Sequence, residues 1–289
     1  MKVLVLGSSG LLGSTLVPIL KYGGHEVIEQ SLSSSTQYNV DMSDSNKAST
    51  FLSKTDPEII INLIGLTDVD RCEIDINSAY ELNVKTVENI SSYIKDINPE
   101  CRLIHISTDQ VYDGDGLQTE NYVTLKNYYA FSKYSGEIAA RICSGTILRT
   151  NFFGKSLCSK RLSLTDWVSQ SLSSEKKIYA FNDVFFNPLS MNTISNILLK
   201  IIDFKTSGTY NLGSRNPMSK ADFIFKFAKH NSLNTENIEN VSIDDVEFIK
   251  TYRPKNMQMD CSKIEKELTI ELPDLQSELI KETKNYVKS

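Results

Sequence analysis

The feature that most constrains this chain is a glycine-rich turn between a short apolar run and an amphipathic segment. The run at residues 3–6 leads directly into the sequence GSSGLLG at residues 7–13. In such a turn the first glycine permits a tight bend, the second admits a ligand close to the backbone, and the third lets the helix pack on the strand. The amino terminus of the following helix favours the charge of a pyrophosphate. The spacing therefore predicts a dinucleotide site with contacts from Gly7, Ser9, Gly10, Leu11, Leu12 and Gly13.

The first half of the chain repeats this alternation of strand and helix, which is typical of a parallel sheet. β-Branched runs such as Ile59-Ile60-Ile61 suit strands that are covered on both faces. We therefore predict an α/β fold built on a Rossmann-type doubly wound parallel sheet. Strands are expected at residues 3–6, 25–28, 59–63, 103–106 and 146–148. Helices are expected from the glycine turn to about residue 22 and at residues 45–54, 77–95 and 128–143.

After Asn151 the alternation is less regular, and turn residues separate helical stretches at 193–202, 220–230 and 275–286. We expect residues 1–150 to form an NAD(P)-binding Rossmann domain that is rejoined at about residues 185–206. Residues 151–289 would then form mostly a smaller mixed α/β lobe that binds substrate. We expect this lobe over the carboxyl ends of the strands, where open α/β sheets bind ligands.

Composition excludes several classes of partner. The net charge of −5 gives no basic surface for nucleic acid or an anionic membrane, so an anionic ligand would need local cations or backbone N–H groups. The five cysteines are scattered without a CxxC pair, as in reduced cytoplasmic proteins, and three dispersed histidines predict no metal site. The sequence contains no segment with the length of a signal peptide or membrane span, so we expect a soluble cytoplasmic protein.

Three residues form a candidate catalytic set. Tyr129 and Lys133 lie four residues apart, on one face of a predicted helix. An adjacent ammonium lowers the pKa of a phenol, and a lysine there can also hydrogen-bond the nicotinamide ribose. Thr108 follows the fourth strand, with Ser107 as the alternative hydroxyl. Because these groups and the glycine turn meet at one sheet edge, we predict Thr108, Tyr129 and Lys133 to be catalytic, with Tyr129 and Lys133 also contacting cofactor.

The end of the second strand bears on the choice of cofactor. An acid there would bind the ribose 2′-hydroxyl of NAD, but Glu29 is expected within the strand and Ser31 is the expected contact. A serine tolerates a 2′-phosphate, although no Arg or Lys lies between Lys21 and Lys47 to bind one. The segment favours NADP(H) slightly over NAD(H) and leaves the preference open.

These motifs and their order resemble the extended short-chain dehydrogenases, and among them the dTDP-4-dehydrorhamnose reductases. Two residues depart from that family's pattern, because Gln110 stands where tyrosine is usual and Phe152 stands near the place of a tryptophan. The matching segments, besides the glycine turn and the Tyr–Lys pair, are Asn62 to Gly65, Thr67 to Glu73, Leu82-Asn83, Ser107-Thr108-Asp109, Arg149 to Gly154 and Arg253-Pro254.

The resemblance implies further contacts. Asp41 and Met42 would lie against the adenine, and Asn62, Leu63, Ile64 and Gly65 would line the cofactor. Arg253 would bind the diphosphate of the substrate, unless it is merely a solvated loop arginine. The implied substrate-binding residues are Thr67, Thr108, Asp109, Asn151, Phe152 and Arg253.

The implied reaction is the NAD(P)H-dependent reduction of the 4-keto group of a nucleotide-linked deoxysugar, in the biosynthesis of deoxysugar or polysaccharide precursors. A sugar-nucleotide epimerase or dehydratase on the same scaffold is one alternative. Another is a non-catalytic subunit resembling the regulatory partner of methionine adenosyltransferase. A homodimer is the oligomeric state expected from its general frequency.

Overall fold

A computed structural model of the protein describes residues 1–32 and 36–286. The strands are β1 (Lys2–Leu6), β2 (Glu26–Gln30), β3 (Ile59–Asn62), β4 (Arg102–Thr108), β5 (Thr146–Thr150), β6 (Phe152–Phe153), β7 (Ile178–Phe181), β8 (Phe185–Phe186), β9 (Leu189–Ser190), β10 (Gly208–Leu212), β11 (Met218–Ser219), β12 (Ile238–Val241) and β13 (Asn256–Met257).

The α-helices are α1 (Leu11–Tyr22), α2 (Ser45–Thr55), α3 (Val69–Ile74), α4 (Ile76–Tyr80), α5 (Thr86–Asp96), α6 (Tyr128–Arg141), α7 (Leu164–Ser173), α8 (Met191–Asp203), α9 (Lys220–His230), α10 (Ser262–Leu268) and α11 (Leu275–Thr283). A π-helical turn at Glu81–Lys85 joins α4 to α5, where the sequence predicted one continuous helix. In the described parts of the chain, no helix is both long and apolar enough to cross a membrane.

The main sheet has six parallel strands in the order β2-β1-β3-β4-β5-β10, which confirms the predicted Rossmann-type fold. The chain reverses its direction of travel across the sheet between β1 and β3. At such a switch point the loops after neighbouring strands diverge and leave a crevice at the carboxyl edge. The glycine turn follows β1 and therefore lies at this crevice.

Alternate residues of the central strands build two apolar cores. On one face Val3 and Val5 pack with α1 and α8, and on the other Leu4 and Leu6 pack with α2, α5 and α6. Successive side chains of a strand point to opposite faces, so a continuous apolar run such as β1 serves both layers. Both faces are consequently covered by helices, and the carboxyl edge is left as the accessible end of the sheet.

The sixth strand, β10, is the main departure from the sequence prediction. Gly208 is its first residue and Gly213 directly follows it, whereas the sequence pattern predicts turns between helices at both glycines. Gly208 has φ +102°, which suits a turn, yet its backbone pairs with Thr146 of β5. Thus the second half of the chain contributes one strand, together with α8, to the main sheet and its helical layer.

The remaining part of the second half has its own apolar core. Aromatic side chains dominate it, with Phe223 stacked edge-on against both Phe153 and Phe186. Three small sheets surround this core: β11-β8-β13, β12-β7 and β6-β9. The segment between β6 and α7 extends from this lobe to the carboxyl edge of the main sheet.

Candidate active site

The glycine turn is shaped by two close approaches. Gly7 has φ +78°, and a Cβ there would lie 3.2 Å from the backbone nitrogen of Ile64. A Cβ at Gly13 would lie only 2.6 Å from the carbonyl oxygens of Gly7 and Ser8, so α1 packs directly on the turn. The backbone N–H groups of Gly7 and Ser8 donate to the Gln30 carbonyl oxygen at 2.9 and 3.0 Å. The result is a narrow cradle at the amino terminus of α1 that suits a pyrophosphate.

The opposite wall of the cradle follows β3. Asn62 is fully buried; its Oδ1 accepts the Ile64 N–H at 3.1 Å and its amide donates to Nδ1 of His105 at the same distance. Leu63, Ile64 and Gly65 line the cleft together with Gly7, Gly10, Leu11, Leu12 and Gly13. The side chain of Asn62 therefore lies beneath the wall and fixes its shape.

Thr108 and Tyr129 meet in the same cleft. Thr108 is the last residue of β4, and its hydroxyl, which donates to Asp109 at 3.3 Å, lies in the cleft with the buried phenol of Tyr129 on α6. From the sequence, Lys133 is expected to lower the pKa of Tyr129. That expectation is wrong, because the pKa of Tyr129 is raised. Burial raises this pKa well above its ordinary value, and the polar hydroxyl of the nearby Thr108 offsets the effect in part. Tyr129 is consequently a protonated phenol at neutral pH, which is the form that donates a proton.

Lys133 lies one helical turn further along α6 with its ammonium pointing into the sheet. Its Nζ donates to the Ile106 carbonyl oxygen at 2.7 Å, and the residue is 4% exposed. Burial lowers the pKa of Lys133 to about 8, with Glu137 acting in the opposite direction. Because Lys133 lines the cleft beside Tyr129, its remaining N–H groups can reach a cofactor ribose.

A buried polar network distinguishes the two candidate hydroxyls of β4. The Ser107 hydroxyl donates to Glu137 at 2.6 Å, and that carboxylate also accepts two hydrogen bonds from Arg149 at 2.9 and 2.7 Å. Arg149 donates further to the hydroxyl of Tyr112 at 2.7 Å. The Ser107 hydroxyl is therefore engaged beneath the site, whereas that of Thr108 faces Tyr129.

Asp109 lines the cleft beside Asn151. It is 1% exposed, and burial raises the pKa of its carboxyl to about 6, although the amide of Asn151 donates to it at 2.8 Å. Lys220, at the start of α9, also contributes its charge here, and burial lowers the pKa of its ammonium. Within residues 1–32 and 36–286 this ammonium has no salt-bridge partner. Sequence reasoning missed Lys220, since nothing local to it points to the sheet edge.

The other predicted substrate residues are only partly brought together. Thr67 and Phe152 line the cleft with Asn151. Arg253 donates to Asp70 at 2.7 Å and to the Thr251 carbonyl oxygen at 3.1 Å. Its guanidinium lies near enough to Lys220 to lower that residue's pKa, so it borders the site from the side of the smaller lobe.

The adenosine end of the cleft gathers the remaining cofactor candidates. Ser31, Asp41 and Met42 line it with Ser9 and Gly10, and Met42 is buried. Glu29 lies within β2, as the sequence analysis expected. Two residues that sequence reasoning missed, Lys160 and Arg161, reach the same cleft from the smaller lobe. In the described ranges no three His, Cys, Asp or Glu side chains form a group that could hold a metal ion.

Fold and site together define a class of protein. A Rossmann-type sheet, a glycine turn at its switch point and a Thr–Tyr–Lys set at the carboxyl edge are features of the extended short-chain dehydrogenases. The chain belongs to the family described as RmlD substrate binding domain, whose model matches residues 1–287.

Several relatives support this assignment. The chain is 28% identical to the probable low-salt glycan biosynthesis reductase Agl14 of Haloferax volcanii, with 96% of each chain covered. A structure described as a hypothetical dTDP-4-dehydrorhamnose reductase from Sulfolobus tokodaii is 30% identical, with a TM-score of 0.85 over 95% of this chain and 97% of that one. The dTDP-4-dehydrorhamnose reductase of Bacillus anthracis, solved in complex with NADP, has a TM-score of 0.88 at 21% identity, over 99% of this chain and all of the other, and shows the shared fold.

Proposed function

We propose that this protein reduces the 4-keto group of a nucleotide-linked deoxysugar, with NADPH as the hydride donor. The observation that carries the proposal is the meeting of Thr108, Tyr129 and Lys133 with the glycine cradle in one cleft. Enclosing donor and acceptor in a single cleft converts a bimolecular reaction into one between aligned groups. The family assignment and the reductases among its relatives support the same reaction.

The residues divide the chemistry between them. Bound NADPH supplies the hydride. The protonated Tyr129 hydroxyl gives its proton to the oxygen that becomes an alkoxide, and Thr108 donates a hydrogen bond to that oxygen. Lys133, held by the Ile106 carbonyl oxygen, binds the ribose hydroxyls through its remaining N–H groups.

The two halves of the chain have complementary roles in this proposal. Residues 1–150, rejoined at about residues 185–206 and by strand β10, form the cofactor-binding domain, and most of the rest of residues 151–289 forms the substrate-binding lobe. Asp109, Asn151, Phe152 and Thr67 contact the sugar, and Arg253 with Lys220 provides positive charge for its diphosphate. Replacing Arg253 or Lys220 should therefore raise KM for substrate more than it lowers kcat.

Tyr129→Phe tests the proposal. We expect this variant to lose about 10²- to 10⁴-fold in kcat for dTDP-4-dehydro-6-deoxy-L-mannose, because the proton donor is gone. Turnover is followed by loss of reduced-nicotinamide absorbance, and NADPH affinity, measured by titration calorimetry, should stay unchanged. Tyr128→Phe is the matched control, because that phenol neighbours Tyr129 without lining the cleft. Near-normal turnover by Tyr129→Phe would refute the assignment.

A further inference from the structure

A segment of the smaller lobe covers the glycine turn. It runs from Ser156 to Ser163 between β6 and α7, and Leu157, Cys158 and Lys160 line a groove shared with Ser9. The turn after β1 is thus faced by residues far away in the sequence. Any phosphate held on the cradle would lie between these two walls.

The two ends of this segment are held together by one carboxylate oxygen. Asp166 Oδ2 accepts the N–H of Ser156 at 3.0 Å and that of Ser163 at 3.1 Å. The same aspartate completes a capping box with Ser163 at the start of α7. On the other side the Lys155 N–H donates to Glu282 at 2.8 Å. Because both ends are anchored, the intervening residues are held over the cleft by the lobe itself.

Arg161 lies at the junction of the two halves of the cleft. It lines the nicotinamide half together with Thr108 and Asn151, and the adenosine half together with Asp41. The pyrophosphate joins the same two halves of a dinucleotide. In the part of the chain that the structure describes, the Arg161 guanidinium has no hydrogen bond or ion pair. A guanidinium binds phosphate oxygens bidentately, so its position and chemistry both match the pyrophosphate.

Lys160 lies further towards the adenosine end. It lines the cleft with Ser31 and Leu32, and the neighbouring groove with Glu29 and Thr36. Glu29, the acid that lines the neighbouring groove, forms a salt bridge with Lys21 at 2.6 Å, which offsets its negative charge. A 2′-phosphate on the adenosine ribose would therefore meet an ammonium, although no Arg or Lys lies between β2 and Lys47 in the sequence.

We propose that the segment from Ser156 to Ser163 forms the phosphate-binding wall of the cofactor site, with Arg161 at the pyrophosphate and Lys160 at the 2′-phosphate. The smaller lobe then contributes to cofactor affinity as well as to substrate binding. The positive charge that NADP(H) requires comes from this lobe instead of from the loop after β2. The inference rests on the proposed use of NADPH and extends it to the residues that select this cofactor.

Cofactor binding in the absence of substrate tests the wall directly. The dissociation constants of NADPH and NADH are measured by titration calorimetry for the full chain and its variants. We expect Arg161→Gln to raise both constants about tenfold, since each cofactor carries the pyrophosphate. We expect Lys160→Gln to raise the NADPH constant about tenfold and to leave that of NADH unchanged. Lys155→Gln is the matched control, because this lysine directly precedes the segment and its ammonium donates to the Asn285 carbonyl oxygen.

Wild-type affinity of Arg161→Gln for both cofactors would overturn the proposal. So would a rise only in KM for the sugar nucleotide, because the guanidinium would then belong to the substrate. Equal weakening of both cofactors by Lys160→Gln would overturn its assignment to the 2′-phosphate. The binding measurement does not depend on turnover. Wild-type protein that binds NADPH but reduces no keto-sugar would therefore refute the proposed function without contradicting the inference about the phosphate-binding wall.

Discussion

Asp109 and Tyr129 show how burial sets the protonation of the site. Both side chains are almost completely buried, and in each case burial raises the pKa because the charged form is poorly solvated. For Tyr129 the consequence is a phenol that keeps its proton at neutral pH. For Asp109 the consequence is a cost in stability, since a buried carboxylate at neutral pH has only partial compensation from Asn151.

Asp109→Asn should reveal that cost as a pH-dependent gain in stability. The folded-state pKa of about 6 lies above the ordinary value of 3.8, so the folded protein binds the extra proton between these limits. The free energy of unfolding of the wild type must therefore fall as pH rises through this window, whereas that of Asp109→Asn lacks this contribution. We expect a difference on the order of 2–3 kcal/mol above pH 7 in denaturant titrations.

The exposed neighbour Asp115 offers the matched control. Asp115→Asn should change stability by less than about 0.5 kcal/mol at every pH, because its carboxylate is solvated. If the two variants gave the same pH dependence, the assigned burial of Asp109 would be wrong.

Local sequence was sufficient for some site residues and insufficient for others. Tyr129 and Lys133 are four residues apart on one helix, so spacing alone places them together. Lys160 and Arg161 reach the cleft, and Lys220 lies near Asp109, only because the smaller lobe packs over the sheet edge. No periodicity or motif encodes that packing, which is why sequence analysis missed them.

At the scale of elements, the close contact between β1 and α1 is set by Gly13. A Cβ at this position would collide with two backbone carbonyl oxygens, which cannot move without shifting the turn. We expect Gly13→Ala to lower the free energy of unfolding by about 1–3 kcal/mol and to weaken cofactor binding, because the cradle must open. Thermal unfolding and cofactor titration measure the two effects.

Ser14→Ala is the control for that substitution. Its hydroxyl donates to the Leu11 carbonyl oxygen at 3.0 Å, one turn back in the same helix. Ser14→Ala should leave both the free energy of unfolding and the cofactor affinity near the wild-type values. An unchanged cofactor affinity in Gly13→Ala would contradict the role assigned to the turn.

The buried ion pair of Arg149 and Glu137 connects β5 with α6. Arg149 also reaches Tyr112, whose hydroxyl donates to Asn211 of β10 at 2.7 Å. We expect Arg149→Met to cost about 3–5 kcal/mol in the free energy of unfolding, because it leaves the Glu137 carboxylate buried without its main partner. The double variant Arg149→Met with Glu137→Gln should recover much of that loss in denaturant titrations. A double variant no more stable than Arg149→Met alone would contradict this explanation.

Strand β10 was difficult to predict because tertiary contacts, including this network, hold it in place. Its sequence is short and bounded by two glycines, features that favour a turn as strongly as a strand. Pairing with β5 and the hydrogen bond of Asn211 to Tyr112 provide the interactions that hold it. The first five strands, by contrast, follow from alternating apolar runs and helices that the sequence displays directly.

At the scale of the whole molecule, the cleft belongs to both halves of the chain. The sheet edge contributes the glycine cradle and the Thr–Tyr–Lys set, and the smaller lobe contributes Asn151, Phe152 and Arg161. In the proposed function, such an arrangement brings cofactor and substrate together only when both halves are in place. The α/β architecture and the meeting of Thr108, Tyr129 and Lys133 in one cleft could be predicted from the sequence, whereas the lobe's share of the cleft depended on tertiary packing.

The most direct test of the central claim is the transfer of deuterium from NADPH that carries deuterium in both C4 positions of the nicotinamide to dTDP-4-dehydro-6-deoxy-L-mannose. We predict that each product molecule gains one deuterium at the sugar C4, located by NMR, and that one NADPH is consumed per product. An epimerase or dehydratase would retain its cofactor between turnovers, and a regulatory subunit would catalyse no transfer. A product without deuterium, or one formed without net NADPH consumption, would contradict the proposed reduction.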